Sequence, residues 1–214
     1  MLDKAHLRNV PLPEDLSNDD IFSALRETQE VFEKIRQDAG IDLSSTIQAN
    51  NFSGLVSNIF TQKLGSVSIY RPYHDQRYPD LMHQSKEIGL EVKASNKPMK
   101  GGEGHNGHSG WHIVVCFTVL EGGSIDFTQV EIANLTGYEC ADSDWHYLGS
   151  KRNSHNSQRT ETYVTTNIGT AKLRDGTVYL HPEYVQITGA MVRNRVKLAS
   201  LLPIPEYSPF KEKC

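Results

Sequence analysis

Long apolar runs are missing from this 214-residue sequence: none approaches the roughly 18 residues that a bilayer-crossing helix needs. The opening stretch, MLDKAHLRNVPLPEDL, also lacks the apolar core of a secretory leader. Both absences argue against a membrane or exported protein, and the expectation is a cytoplasmic chain. Cysteine is scarce. Cys116, Cys140 and Cys214 are odd in number and far apart, which suits free thiols in a reducing compartment better than a disulfide framework. There is no internal repeat and no linker-like stretch. A single domain over 1–214 is therefore expected, with 1–48 an N-terminal helical part available for dimerisation, 50–135 the core, and 136–214 a C-terminal part. A basic excess is lacking too, since the formal net charge is -4. That speaks against a wholly cationic surface, but it leaves room for local basic segments around an acidic centre.

What is present reads as alternating helix and strand. From Ser17 to Asp38, Ser17 is a natural N-cap, and Asn18, Asp19 and Asp20 favour a helix start. Ile21, Phe22, Leu25, Val31, Phe32 and Ile35 form one apolar stripe. A second helix is predicted from Asn50 or Asn51, through Phe52, Leu55, Val56, Ile59, Phe60 and Leu64, to a stop at Gly65. The alternation from Ser66 to Pro72 predicts a short strand. YPDLM (Tyr78 to Met82) and IGLEVKAS (Ile88 to Ser95) read as the two arms of a hairpin-like element. WHIVVCFTVL, Trp111 to Leu120, has the β-branched continuity of a central buried strand. SIDFTQVEIANL, from Ser124, should pair with it through a turn at Gly122 and Gly123. TYVTTNI and DGTVYLHP are read as further strands, and GAMVRNRVKLASLLP as a terminal helix with Arg193, Arg195 and Lys197 on its solvated face. The expected fold is α/β, a central mixed sheet flanked by helices.

The chemistry-bearing residues lie in the hairpin-like middle. A strand alternates faces, so Glu91 and Lys93 share one side while Leu90 and Val92 take the other. If the segment carrying Asp80 lies alongside, two carboxylates converge beside one ammonium. That donor set suits Mg²⁺, a hard cation that takes oxygen ligands and keeps several waters.

The order of helix, strand, Pro79-Asp80 and Glu91-Val92-Lys93, over roughly Asn50 to Val119, resembles the common core of the PD-(D/E)xK nuclease superfamily, which includes many type II restriction endonucleases. The resemblance implies Asp80 and Glu91 as metal ligands and Lys93 as the third catalytic residue. It further implies Mg²⁺ as cofactor, double-stranded DNA as substrate, and a homodimer that cuts both strands. Some members add a helical glutamate; here the preceding helix offers Asn51, Asn58 and Gln62 instead. Junction resolvases and repair nickases share the same core, and a non-catalytic DNA-binding protein with a fortuitous triad is the competitor from another class.

Two polar segments are candidates for DNA contact. One, after the ExK strand, carries Lys97, Lys100, His105, Asn106, His108 and Ser109 among closely spaced glycines, and is similar to the histidine-bearing segment at that place in blunt-cutting restriction enzymes. The other, Ser150 to Thr162, is read as a surface loop with Lys151, Arg152, Asn153, His155, Asn156, Gln158 and Arg159. His105, His108 and His112 have zinc-like spacing, but no CxxC pair accompanies them. An HNH-type nuclease lacks its second half here.

Overall fold

The computed structural model describes residues 2–73, 78–100, 103–104, 107–149 and 162–213. Five α-helices and nine β-strands are present among them: α1 (Asn18–Ala39), α2 (Leu43–Thr46), α3 (Ala49–Val67), β1 (Tyr70–Pro72), β2 (Leu81–His83), β3 (Gly89–Ser95), β4 (Glu103–Gly104), β5 (Gly110–Val119), β6 (Ile125–Leu135), β7 (Trp145–Gly149), β8 (Thr162–Thr165), α4 (Asn167–Asp175), β9 (Thr177–Leu180) and α5 (Gly189–Lys197). The principal sheet is mixed, in the order β1-β2-β3-β5-β6-β9, and a small second sheet runs β4-β8-β7. Only β3 and β5 pair in parallel; the other neighbours in the large sheet are antiparallel. The expected mixed sheet flanked by helices is what the chain forms.

Helix α1 begins where its sequence indicates. Ser17 accepts from the Asp20 amide, Asp20 returns a bond to the Ser17 amide, and Gly40 ends the helix in the left-handed region at φ 60°. Ile21, Ala24, Leu25 and Phe32 then pack with Phe52, Val56, Phe60 and Leu64 of α3 against one face of the large sheet. The apolar stripe of α1 is thus directed to the protein's own core. From the sheet, this core receives Leu81, Leu90, Val92, Ile113, Val115, Phe117, Phe127 and Val130.

The other face is built differently. Val114, Cys116, Ala133 and Leu135 of the large sheet meet Leu173 of α4 together with Trp145 and Tyr163 of the small sheet. Directly paired residues share a face. The pairings Glu91 with His112 and Lys93 with Val114 therefore put Glu91 and Lys93 on this second side.

Several elements differ from the sequence reading. Helix α3 does not stop at Gly65 but continues to Val67, and the strand is shortened to Tyr70–Pro72. Gly65 serves packing instead of termination: a Cβ there would lie 2.6 Å from Cδ of Pro72. The TYVTTNI strand ends at Thr165, because Thr166 caps α4 by accepting from the Gly169 amide. The terminal helix is confined to Gly189–Lys197. Between β5 and β6 a 3-10 turn at Glu121–Gly123 makes the expected connection.

Arg195 is the main correction to the charged positions of α5. It is 3% exposed, not solvated, and it grips Asp175 of α4 through Nε at 3.0 Å and Nη2 at 2.7 Å. Its remaining donors reach the Leu202 and Pro203 carbonyls, and Ser208 completes the Asp175 carboxylate. A buried ion pair contributes little net stability, yet removing one partner strands the other charge. Arg195→Ala is therefore expected to destabilise the fold by about 3–5 kcal/mol, read as a lowered urea midpoint; a loss below about 1 kcal/mol would show that Asp175 finds water or another donor.

Candidate active site

The site is assembled from the start of β2, the length of β3 and the first residues of β5. Asp80 immediately precedes β2, whose Leu81 pairs with Leu90 of β3. Its carbonyl accepts from the Tyr73 amide at 2.9 Å, and its Oδ2 accepts from the Val92 amide at 2.8 Å. The carboxylate is thus tied to the backbone of the strand that carries Glu91 and Lys93. Gly89 permits this approach: a Cβ at that position would sit 2.3 Å from Cγ of Pro79. From the other side, Ser57 of α3 donates to the Val92 carbonyl at 3.1 Å, anchoring the strand to the helical layer.

The structure brings all three residues of the expected centre together. Lys93 Nζ lies 2.5 Å from Oε1 of Glu91, whose side chain is 13% exposed. The second oxygen, Glu91 Oε2, is buried and has no hydrogen-bond partner. Asp80 is held above its ordinary carboxylate value, first by burial and then by the neighbouring Glu91 charge, with a carboxyl-to-carboxyl hydrogen bond to Glu91 adding to the rise and the Val92 amide and Lys93 acting in the opposite sense. Two acids in proximity, one keeping an unsatisfied oxygen, form an oxygen-only donor set that fits a small divalent cation. No group of three or more His, Cys, Asp or Glu side chains suited to a metal is present among the described residues.

Aromatic groups close one flank. Tyr78 donates its hydroxyl to the Ser109 carbonyl, and its ring lies 4.3 Å from His108 and 6.2 Å from His112. Burial, reinforced by Glu91, Glu139 and Asp80, pushes the Tyr78 phenol up to about 12, which keeps it a neutral donor. His112, 4% exposed and paired with Glu91, is lowered to about 4, chiefly by burial. Its Nδ1 lies 2.9 Å from the Gly110 carbonyl, which fits a neutral ring carrying its proton on that nitrogen. His112 therefore belongs to the wall of this centre. His108, the other described histidine of the zinc-like spacing, lies against Tyr78 with the rings tilted by 44°; His105 lies outside the described residues.

The remaining candidates are distributed unevenly. Lys97 and Lys100 are exposed on the segment that leaves β3. Ser109 accepts from the Gly137 amide at 2.7 Å and so ties that segment to the turn after β6. Asn106, Lys151, Arg152, Asn153, His155, Asn156, Gln158 and Arg159 lie outside the described residues. Of the cysteines, Cys116 is a buried free thiol and Cys140 an exposed one. No helix among the described residues is long and apolar enough to cross a membrane.

The comparisons add no relative. No family model, curated protein or solved structure matches the chain.

Further along the same face lies a buried polar group with no counterpart in the motif. Gln129 donates to Glu131 at 3.0 Å and to Thr177 at 3.1 Å, and it accepts from the Met99 amide at 2.8 Å. It thereby moors the segment that follows β3. Glu131, fully buried, keeps Oε2 unpartnered and is raised to about 7 by burial, against the opposing effects of Arg174 and Gln129. A raised acid favours folding most below its unfolded value and loses that contribution as pH rises through the folded one. Wild-type stability should then fall between pH about 4.5 and about 7, by up to about 1.4 kcal/mol per pH unit. Glu131→Gln should flatten this slope and be the more stable protein at pH 8, as followed by urea unfolding; identical slopes in both proteins would contradict a neutral Glu131.

Proposed function

We propose that the chain is a Mg²⁺-dependent DNA endonuclease of the restriction type that hydrolyses phosphodiester bonds in double-stranded DNA. The observation that carries this reading is the convergence of the Asp80 and Glu91 carboxyls beside Lys93, with Glu91 Oε2 buried and unpartnered. Asp80 and Glu91 are the residues that would hold Mg²⁺, which when bound polarises a phosphate oxygen and lowers the pKa of water.

The chain's own groups account for the rest. The Val92 amide fixes the Asp80 carboxylate, so this ligand is oriented before substrate arrives. Lys93 stands at the same point as a cation that orients a water nucleophile and offsets charge developing on the phosphate. Its present partner, Oε1 of Glu91, holds it within reach of that position. The neutral Tyr78 and His112 line the flank without adding charge, and their burial limits water on that side. Lys97, Lys100 and His108 follow the catalytic strand directly, and residues 150–161, rich in Arg, Asn and His, connect β7 to β8. Both are suited to phosphate and base-edge contacts. Two strands to cut with one centre per chain favour a homodimer on twofold-symmetric DNA.

Purified wild type incubated with plasmid and phage DNA should give discrete fragments with Mg²⁺ and none with EDTA. Glu91→Ala and Lys93→Ala should each lower the rate by about a thousandfold or more. Cleavage undiminished in Glu91→Ala would place the centre elsewhere. Intact DNA under all divalent metals would remove the restriction reading.

A further inference from the structure

Just beyond the end of β3 the chain turns through Met99, a buried residue at φ 59°. A side chain other than glycine's is strained in this left-handed region and persists there only when its surroundings fix it. Two groups fix Met99. Its amide donates to Gln129 Oε1 at 2.8 Å, and its carbonyl accepts from Nη2 of Arg174 on α4. Both holders converge on Glu131: Gln129 donates to Glu131 Oε1 at 3.0 Å, and the Arg174 charge acts on the same carboxyl. The remaining atoms at this meeting point do not match. Glu131 Oε2 and Arg174 Nε are both buried and both without a hydrogen-bond partner. While the acid is protonated, Oε1 receives the Gln129 bond and Oε2 carries the proton, and two donors cannot satisfy each other. Loss of that proton turns Oε2 into a charged acceptor, which is what Nε lacks.

From this mismatch we propose that Glu131 and Arg174 form a proton-controlled latch on the segment that leaves β3. With Glu131 protonated, Arg174 holds the Met99 carbonyl, the arrangement seen in the structure. When Glu131 gives its proton to solvent, Arg174 turns its Nε–Nη2 edge to the carboxylate, and the Met99 carbonyl loses its donor. One edge cannot serve both acceptors: Arg195 grips Asp175 through Nε and Nη2 together, which is the geometry a paired Arg174 would adopt. The strained turn at Met99 then has one holder instead of two. Burial pushes Glu131 up to about 7, so the change of state falls within an ordinary solution range. Around this acid, α4 contributes the Arg174 charge and β6 the neutral Gln129. From β5 comes the Cys116 thiol, kept protonated by burial and by Glu131 itself, and from β9 the neutral Thr177, bonded to Gln129. Lys97 and Lys100 flank Met99 but are exposed. Arg174 is thus the group placed to answer the new charge.

The latch is independent of the nuclease reading; that it would regulate the proposed centre, through the segment continuing from Lys93, rests on that reading. Its test needs no catalysis. The intact protein is titrated between about pH 5 and about pH 9 while three nuclear resonances are followed: the Glu131 carboxyl carbon, the Met99 carbonyl carbon and the Arg174 Nε proton. All three should move in one step, the Met99 carbon upfield as it loses a donor and the Arg174 proton downfield as it gains a carboxylate. In Glu131→Gln the Met99 and Arg174 signals should stay fixed across the range. In Arg174→Met the Glu131 step should shift to higher pH, because its counter-charge is gone, and the Met99 carbon should be silent. A Met99 carbon that stays still through the Glu131 step overturns the latch, as does a Met99 shift that survives in either variant or a Glu131 carboxyl that does not titrate in this range.

Discussion

Two carboxyl groups held together away from bulk water repel each other, and the middle of this fold is arranged to hold Asp80 and Glu91 against that repulsion. The Val92 amide accomplishes most of this, because it is both a link of β3 and the donor that fixes Asp80. Val92 itself is buried in the helical core, and Ser57 of α3 bonds its carbonyl. A single residue therefore joins the apolar layer, the strand backbone and the acidic centre. Displacing β3 would separate the carboxyls and expose Leu90 and Val92 at the same time, so the stability of the core and the geometry of the centre are coupled.

The same coupling explains which features were legible in the sequence. Glu91 and Lys93 could be paired from alternation alone, because a two-residue period puts both on one face whatever surrounds them. The α1 cap and stripe were equally local. Asp80 needed one further assumption, that its segment lies beside β3, which the hairpin spacing made reasonable. The wall of the centre was out of reach: His112 faces Glu91 only because β5 pairs in parallel with β3, a relation that no local pattern encodes. Glu131 reads as an ordinary polar position in an alternating strand until α4 and the Met99 segment cover it.

Local signals failed most plainly around α4 and α5. Helix α4 is short and follows a strand whose β-branched residues run up to its cap. Arg195 looked solvated because its partner, Asp175, lies twenty positions earlier on a different helix. Charge on a helical stripe is ambiguous in sequence: it marks solvent, an internal pair or a ligand, and only the facing element distinguishes these. The first two occur here within three residues, with Arg193 exposed and Arg195 paired inside.

The parallel pairing of β3 with β5 obliges the chain to leave one end of β3 and return to the opposite end before continuing. Residues 96–109 make that excursion, and their described portions are tethered along its length: the Met99 amide on Gln129, Gly104 paired with Tyr163 of β8, the Gly107 carbonyl on the Tyr138 amide, the His108 carbonyl on the Trp145 indole, and Ser109 on the Gly137 amide. Because those tethers reach β6, β7 and β8, the excursion acts as a brace that couples the small sheet to the far end of the large one.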